Sequence, residues 1–182
     1  PQKAFENLSK ELQNQTLEKY FLGKIQSDNY LKFIVEEVKP FIDNNYPTLK
    51  NRDNTYIAGS SMGGLISMYT ICEYPEVFGG AACLSTHWVG ITDLSDDEIP
   101  IAFENYLKQK LPNPKTHKIY FDFGTEGLDS RYEKHQNKVD LIMTEKGFNK
   151  NNWTTRKFES ADHSENSWSK RLSIPLEFLL KK

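Results

Sequence analysis

The sequence predicts an α/β fold in which a parallel sheet is flanked on both faces by helices. Three observations carry this. Apolar runs of strand length alternate with segments of helical periodicity. Each pair of runs is joined through a helix rather than a tight hairpin turn, so neighbouring strands run parallel. The best-defined run, Thr55 to Ala58, passes directly into a glycine- and serine-rich turn that opens a helix.

Residues 1–28 are polar and weakly periodic; a short helix near Phe5 to Leu12 is expected, followed by loop. Ser27 and Asp28 offer N-caps to a helix whose apolar stripe is Leu31, Ile34, Val35, Val38, Phe41 and Ile42. Pro40 is expected to bend that helix, and Asn44, Asn45 and Pro47 close it. The strand Thr55–Ala58 and its turn lead into a helix carrying Leu65, Met68, Tyr69 and Cys72, which ends before Pro75. Gly80 to Ser85 is a second buried strand. The loop after it carries His87, Trp88 and the acidic run Asp93 to Glu98. Ile101 to Leu111 is helical, Lys118 to Phe123 a third strand, and Tyr132 to Gly147 a helix. Trp153 to Phe158 is the fourth strand. Ser167 to Leu180 is a closing helix made irregular by Pro175.

Composition narrows the function classes. The chain has 182 residues, 37% hydrophobic and 26% charged, an ordinary globular profile for one domain. The net charge of −2 and the absence of a basic face argue against nucleic acid as a partner. No apolar run approaches the roughly 18 residues that span a bilayer, so no membrane partner is expected. No secretion signal is visible, which favours the cytoplasm slightly and otherwise leaves the compartment open. Cys72 and Cys83 read as small buried hydrophobes. The acidic run Asp93 to Glu98 lacks metal-ligand spacing and reads as a solvated loop; neither a metal nor a cofactor is inferred.

The chemistry begins at Gly59-Ser60-Ser61-Met62-Gly63, a G-x-S-x-G pattern between a strand and a helix. Such a turn lifts a serine hydroxyl off the carboxyl end of a strand, and small neighbours let strand and helix pack closely around it. The helix N-terminus sets backbone N–H groups beside developing negative charge, and Met62 N–H is the expected oxyanion donor. Ser60 fits the register poorly, because Met62 would then stand where a glycine is needed. Ser61 is therefore the expected nucleophile.

A nucleophilic serine needs a base, and the base needs an orienting acid. On sheets of the α/β-hydrolase type the chain order is serine, acid, histidine. Of His87, His117, His135 and His163, only His163 follows the last strand, where the base belongs. The acid is expected in the loop Gly124 to Ser130. Asp129 is favoured and Glu126 is the alternative, while the competing role for Asp129 is to cap the next helix. His87 and Trp88 lie beyond a strand's carboxyl end, where ligands bind in parallel sheets. They are candidates for a substrate pocket, Trp88 with packing onto the sheet as its alternative. Tyr120, Phe121 and Phe123 read as core.

From about Gly23 onward the sequence resembles the putative esterase family of α/β hydrolases, which includes esterase D-like, feruloyl-esterase-like and siderophore-esterase-like proteins. The likeness rests on Tyr56 to Leu65, on Ala81 to Trp88, on Tyr120 to Thr125 with Leu128 and Asp129, and on His163 with Trp168 and Arg171. It implies hydrolysis of a small-molecule carboxylic ester through an acyl-enzyme on Ser61, an acid and His163. The sequence departs from such folds in having no strand ahead of Thr55 and no His-Gly-Gly motif for a second oxyanion N–H. Residues 1–182 are accordingly expected to be a single domain that forms the C-terminal portion of a longer α/β-hydrolase domain. The sheet edge left bare by the truncation offers a surface for another chain to pair on. Two other functions fit the same residues less well: an acyltransferase sharing the acyl-enzyme, and a non-catalytic binding fold.

Overall fold

The computed structural model describes residues 1–20, 24–90 and 97–181. At the N-terminus stand two short helices, α1 (Gln2–Phe5) and α2 (Lys10–Tyr20). This corrects the expected single helix over Phe5 to Leu12 with loop beyond it. Ser9 separates the two helices, and its hydroxyl accepts the Leu12 N–H at 3.3 Å. The link is held by Gln13, whose side-chain amide donates to the carbonyls of Glu6 and Leu8.

Helix α3 (Ser27–Lys32) continues through a π-helical segment, Phe33–Val38, into α4 (Lys39–Asn45). The widened turn falls just before Pro40. That residue has no N–H for the Glu36 carbonyl and its ring crowds the preceding turn, which accounts for the expected irregularity.

The first strand, β1 (Tyr56–Ser60), extends two residues further toward the turn than periodicity suggests. It is followed by α5 (Met62–Glu73), β2 (Gly80–Leu84), α6 (Glu98–Lys110) and β3 (Lys118–Gly124). A 3₁₀ turn at Gly127–Arg131 leads into α7 (Glu133–Glu145), then β4 (Trp153–Phe158), α8 (Glu165–Arg171) and α9 (Ser173–Leu180). The expected closing helix is thus two helices that meet at Leu172, three residues before Pro175. The acidic run is largely outside the described residues. Within it, Asp97 pairs with Lys134 at 2.8 Å and Glu98 opens α6.

The four strands are parallel in the order β1-β2-β3-β4. Alternation along β2 sorts its side chains between two cores. Ala81 and Cys83 join the larger core with Leu65, Met68, Phe103, Ile119 and Phe121. Ala82 and Leu84 join Tyr120, Leu179 and Phe178 under α9. Helices therefore cover both faces, as the continuous apolar runs demand. Cys72 and Cys83 are free and buried, and burial pushes both thiols up. No helix of the described residues is long and apolar enough to cross a membrane.

Register positions the site. Ser60 pairs with Leu84, and Leu84 with Asp122. The carboxyl ends of β1 and β2 therefore lie level, β3 runs two residues further to Gly124, and the loops that follow them meet at one end of the sheet.

Candidate active site

Ser61 stands between β1 and α5 with φ 57° and ψ −121°, a strained conformation for a residue with a side chain. Tight packing enforces the turn. Ser61 N–H donates to the Leu84 carbonyl at 2.9 Å, and the Ser61 carbonyl accepts from His87 and Leu65. The hydroxyl is left pointing at the loop after β4.

That loop carries His163, whose Nε2 lies 2.9 Å from Ser61 Oγ. Its other ring nitrogen, Nδ1, lies 2.6 Å from Asp129 Oδ1. The imidazole is clamped edge-on between Tyr132, with ring centroids 5.7 Å apart, and Trp168, at 5.0 Å. A ring held on both sides and bonded at both nitrogens has one orientation available.

Asp129 is completely buried in the 3₁₀ turn after β3. Its carboxylate caps no helix. Oδ1 takes the His163 N–H, while Oδ2 receives the Gly124 N–H at 2.6 Å and the Ser85 hydroxyl at 2.5 Å. Glu126 is exposed and makes no such contact, so the alternative acid lies apart from the histidine. Asp162, next to His163 in sequence, accepts instead from the hydroxyls of Ser164 and Ser167 at the start of α8.

Met62 is the first residue of α5, where backbone N–H groups have no acceptor within the helix. Its N–H and the positive end of the helix dipole lie beside Ser61.

Of the two pocket candidates, Trp88 takes the alternative role of packing onto the sheet, and His87 lies apart from the cavity. Trp88 is only 2% exposed and packs on Phe121, and its indole N–H donates to Gln136 at 2.8 Å. It belongs to the core because its large apolar surface faces inward from the loop. His87 is partly buried and fully bonded. Its Nε2 faces the Gly90 carbonyl, so that nitrogen carries the proton, and Nδ1 accepts the Tyr132 hydroxyl at 2.8 Å. Burial lowers its pKa, in keeping with a neutral ring. His87 thus pins the tyrosine that flanks His163. The remaining histidines lie elsewhere, His117 on the Pro75 carbonyl and His135 on α7.

A cavity of about 470 Å³ opens next to Met62 and Gly63, within the size range of small-molecule sites. Its walls come from α1, α2, α3, α5, α6 and the links between them, among them Phe5, Leu8, Ile66 and Phe103, and neither His87 nor Trp88 lines it. The described wall residues include no Asp, Glu, Lys or Arg. Of these walls, the part from α2 falls where the sequence suggests loop. No cluster of His, Cys, Asp and Glu among the described residues is arranged to hold a metal ion.

A second polar cluster, not assembled by the sequence reading, lies behind Asp129. Arg171 Nη2 pairs with Asp122 Oδ1 at 2.9 Å, and both side chains are buried. Tyr120 donates to Asp122 Oδ2 at 3.0 Å. Burial still raises the Asp122 carboxyl despite the guanidinium, so desolvation outweighs the ion pair here.

Comparison with known proteins bears on the family and the fold. A family model described as Putative esterase matches residues 5–178. The uncharacterized protein YbbA of Bacillus subtilis is 26% identical over 161 residues, covering 85% of this chain and 60% of that protein. The chain thus spans about 60% of that relative's length. A solved ferulic acid esterase superposes with a TM-score of 0.66 at 18% identity, over 82% of this chain and 60% of its own. The enterochelin esterase of Shigella flexneri gives 0.67 at 20% identity, over 84% and 37%. At these identities the solved structures establish a shared α/β fold.

Proposed function

We propose that this chain, which belongs to the Putative esterase family, carries the catalytic centre of a serine hydrolase that cleaves carboxylic esters through an acyl-enzyme. Ser61 is the nucleophile, His163 the general base and Asp129 the acid that orients it. The observation that carries the reading is the unbroken relay from Ser61 Oγ through His163 to Asp129, at 2.9 Å and 2.6 Å.

The steps follow from that relay. Ser61 Oγ attacks the ester carbonyl while His163 Nε2 takes its proton. The imidazolium that forms is stabilised through Nδ1–H by Asp129. Met62 N–H donates to the oxyanion, where one such donor contributes about 3 kcal/mol. His163 then passes its proton to the departing alcohol. A water, activated by the same imidazole, releases the carboxylic acid and restores Ser61.

The cavity beside Met62 fits an uncharged, apolar part of the ester. Its walls supply aromatic and aliphatic contacts, and no side chain there would balance a charge.

Labelling with a fluorophosphonate probe, alongside hydrolysis of p-nitrophenyl acetate, tests the assignment in the intact protein. Ser61 is expected to be the labelled residue, and Ser61→Ala to abolish both signals. Undiminished labelling or hydrolysis in Ser61→Ala refutes the reading.

A further inference from the structure

Ser85 follows β2 and is completely buried, with φ 42° in the left-handed region that side chains disfavour. Three groups meet its hydroxyl: Trp168 Nε1 at 2.9 Å, Arg171 Nη2 at 2.9 Å and Asp129 Oδ2 at 2.5 Å. An indole nitrogen and a guanidinium can only donate. Both lone pairs of Ser85 Oγ are therefore taken, and its one proton goes to Asp129. The direction of this bond is fixed by its neighbours.

The consequence reaches the relay. Among the described residues no lysine or arginine pairs with the Asp129 carboxylate. Arg171 pairs with Asp122 and meets Asp129 only through the serine hydroxyl. With Ser85 O–H and Gly124 N–H both on Oδ2, Oδ1 is left facing His163.

We propose that Ser85 is a positioning residue for this reaction: oriented by Trp168 and Arg171, it fixes the rotation of the Asp129 carboxylate and so the tilt of the His163 ring. The proposal rests on the roles given above to Ser61, Asp129 and His163. A left-handed, non-glycine backbone is disfavoured, and here the three partners of the hydroxyl hold it in place.

The test is Ser85→Ala and Ser85→Gly in the intact protein, with kcat and KM for p-nitrophenyl acetate and the rate of fluorophosphonate labelling. Glycine accepts the positive φ and keeps the fold available even where alanine does not. Loss of orientation is expected to lower kcat and labelling roughly 10- to 100-fold with KM within about twofold. The same substitution in an Asp129→Ala background is expected to cost no more than about twofold, because the group it holds is gone. A kcat for Ser85→Gly within about twofold of the parent overturns the proposal. So does an equal loss with and without Asp129, which would mark a purely structural role. Failure of the underlying reading looks different: the parent protein would then show no labelling that depends on Ser61.

Discussion

Gly59 and Gly63 touch across the turn that carries Ser61: a Cβ built on Gly59 would stand 2.4 Å from the Gly63 carbonyl oxygen. A Cβ built on Gly63 would meet nothing within 4 Å. The two glycines of the motif look alike in sequence and do different work. Gly59 is required sterically, since the obstacle is backbone and cannot swing aside. Gly59→Ala is expected to destabilise the protein by at least about 1–3 kcal/mol and to remove activity. Gly63→Ala should change stability by no more than about 0.5 kcal/mol. Urea unfolding of the two variants checks this, and equal midpoints would contradict it.

Gly124 makes the same argument on the acid side. A Cβ there would lie 2.1 Å from the Ala161 carbonyl oxygen and 3.1 Å from Asp129 Oδ2. The Ala161 carbonyl also accepts the N–H groups of Thr125 and Glu126, so it ties the acid's loop to the loop of His163. Gly124→Ala should push these loops apart and lower kcat at least about tenfold. A variant with unchanged kcat would show that the loops can separate without consequence.

The legibility of these features in the sequence depends on how local their cause is. Ser61 was readable because strand, turn and helix are consecutive and the turn's chemistry is written in five residues. His163 was readable from its place after the last strand. The sequence favours Asp129 over Glu126 without separating them fully, because burial decides between them and three residues of sequence do not show it. Helix α2 escaped because its buried positions include the polar Gln13 and Thr16, which leave no apolar stripe. The sequence leaves Trp88 open, because a loop position beyond a strand end fits a pocket wall and a core side chain equally well. Ser85 carried no chemical signature at all: its significance comes from partners 44 and 86 residues away.

Arg171 gives a prediction about stability. Its guanidinium is the only cation within reach of buried Asp122 among the described ion pairs, and it also stacks 4.9 Å over the Phe158 ring. The intact pair contributes little net stability once desolvation is counted, but breaking it strands a buried carboxylate. Arg171→Leu is expected to cost about 3–5 kcal/mol. Calorimetry or urea unfolding measures it, and a loss under about 1 kcal/mol would mean that Asp122 is well solvated.

Acid should weaken the fold through His87 and His135. Burial holds His87 and His135 below their ordinary value of 6.5. Between the lowered values and 6.5 the unfolded chain binds more protons than the folded one. Their contribution is therefore intact above about pH 6.5 and is lost as pH falls through that window. Asp122 and Asp140 carry the opposite sign, because burial raises both above 3.8 and protonation then favours the folded form at lower pH. The urea midpoint should fall between about pH 7.5 and pH 5.5, and by less in His87→Asn. A midpoint that stays level or rises over this range would contradict the assignment.

Thr16 offers a test of the cavity itself. It is 1% exposed, its hydroxyl has no hydrogen-bond partner among the described residues, and it stands in the wall of the apolar cavity. A buried hydroxyl without a partner costs about 1–3 kcal/mol, so Thr16→Val, which keeps the shape and removes the oxygen, should raise the melting temperature. If the hydroxyl serves the substrate, the same variant should raise KM for esters with a hydrogen-bonding group at the far end of an apolar moiety. KM for their plain hydrocarbon counterparts should stay within about twofold. The two readouts separate the costs of the wall from its use. A lower melting temperature would mean that the hydroxyl is already satisfied, and a KM that rises equally for both ester types would mean that Thr16 shapes the cavity without reading a polar group.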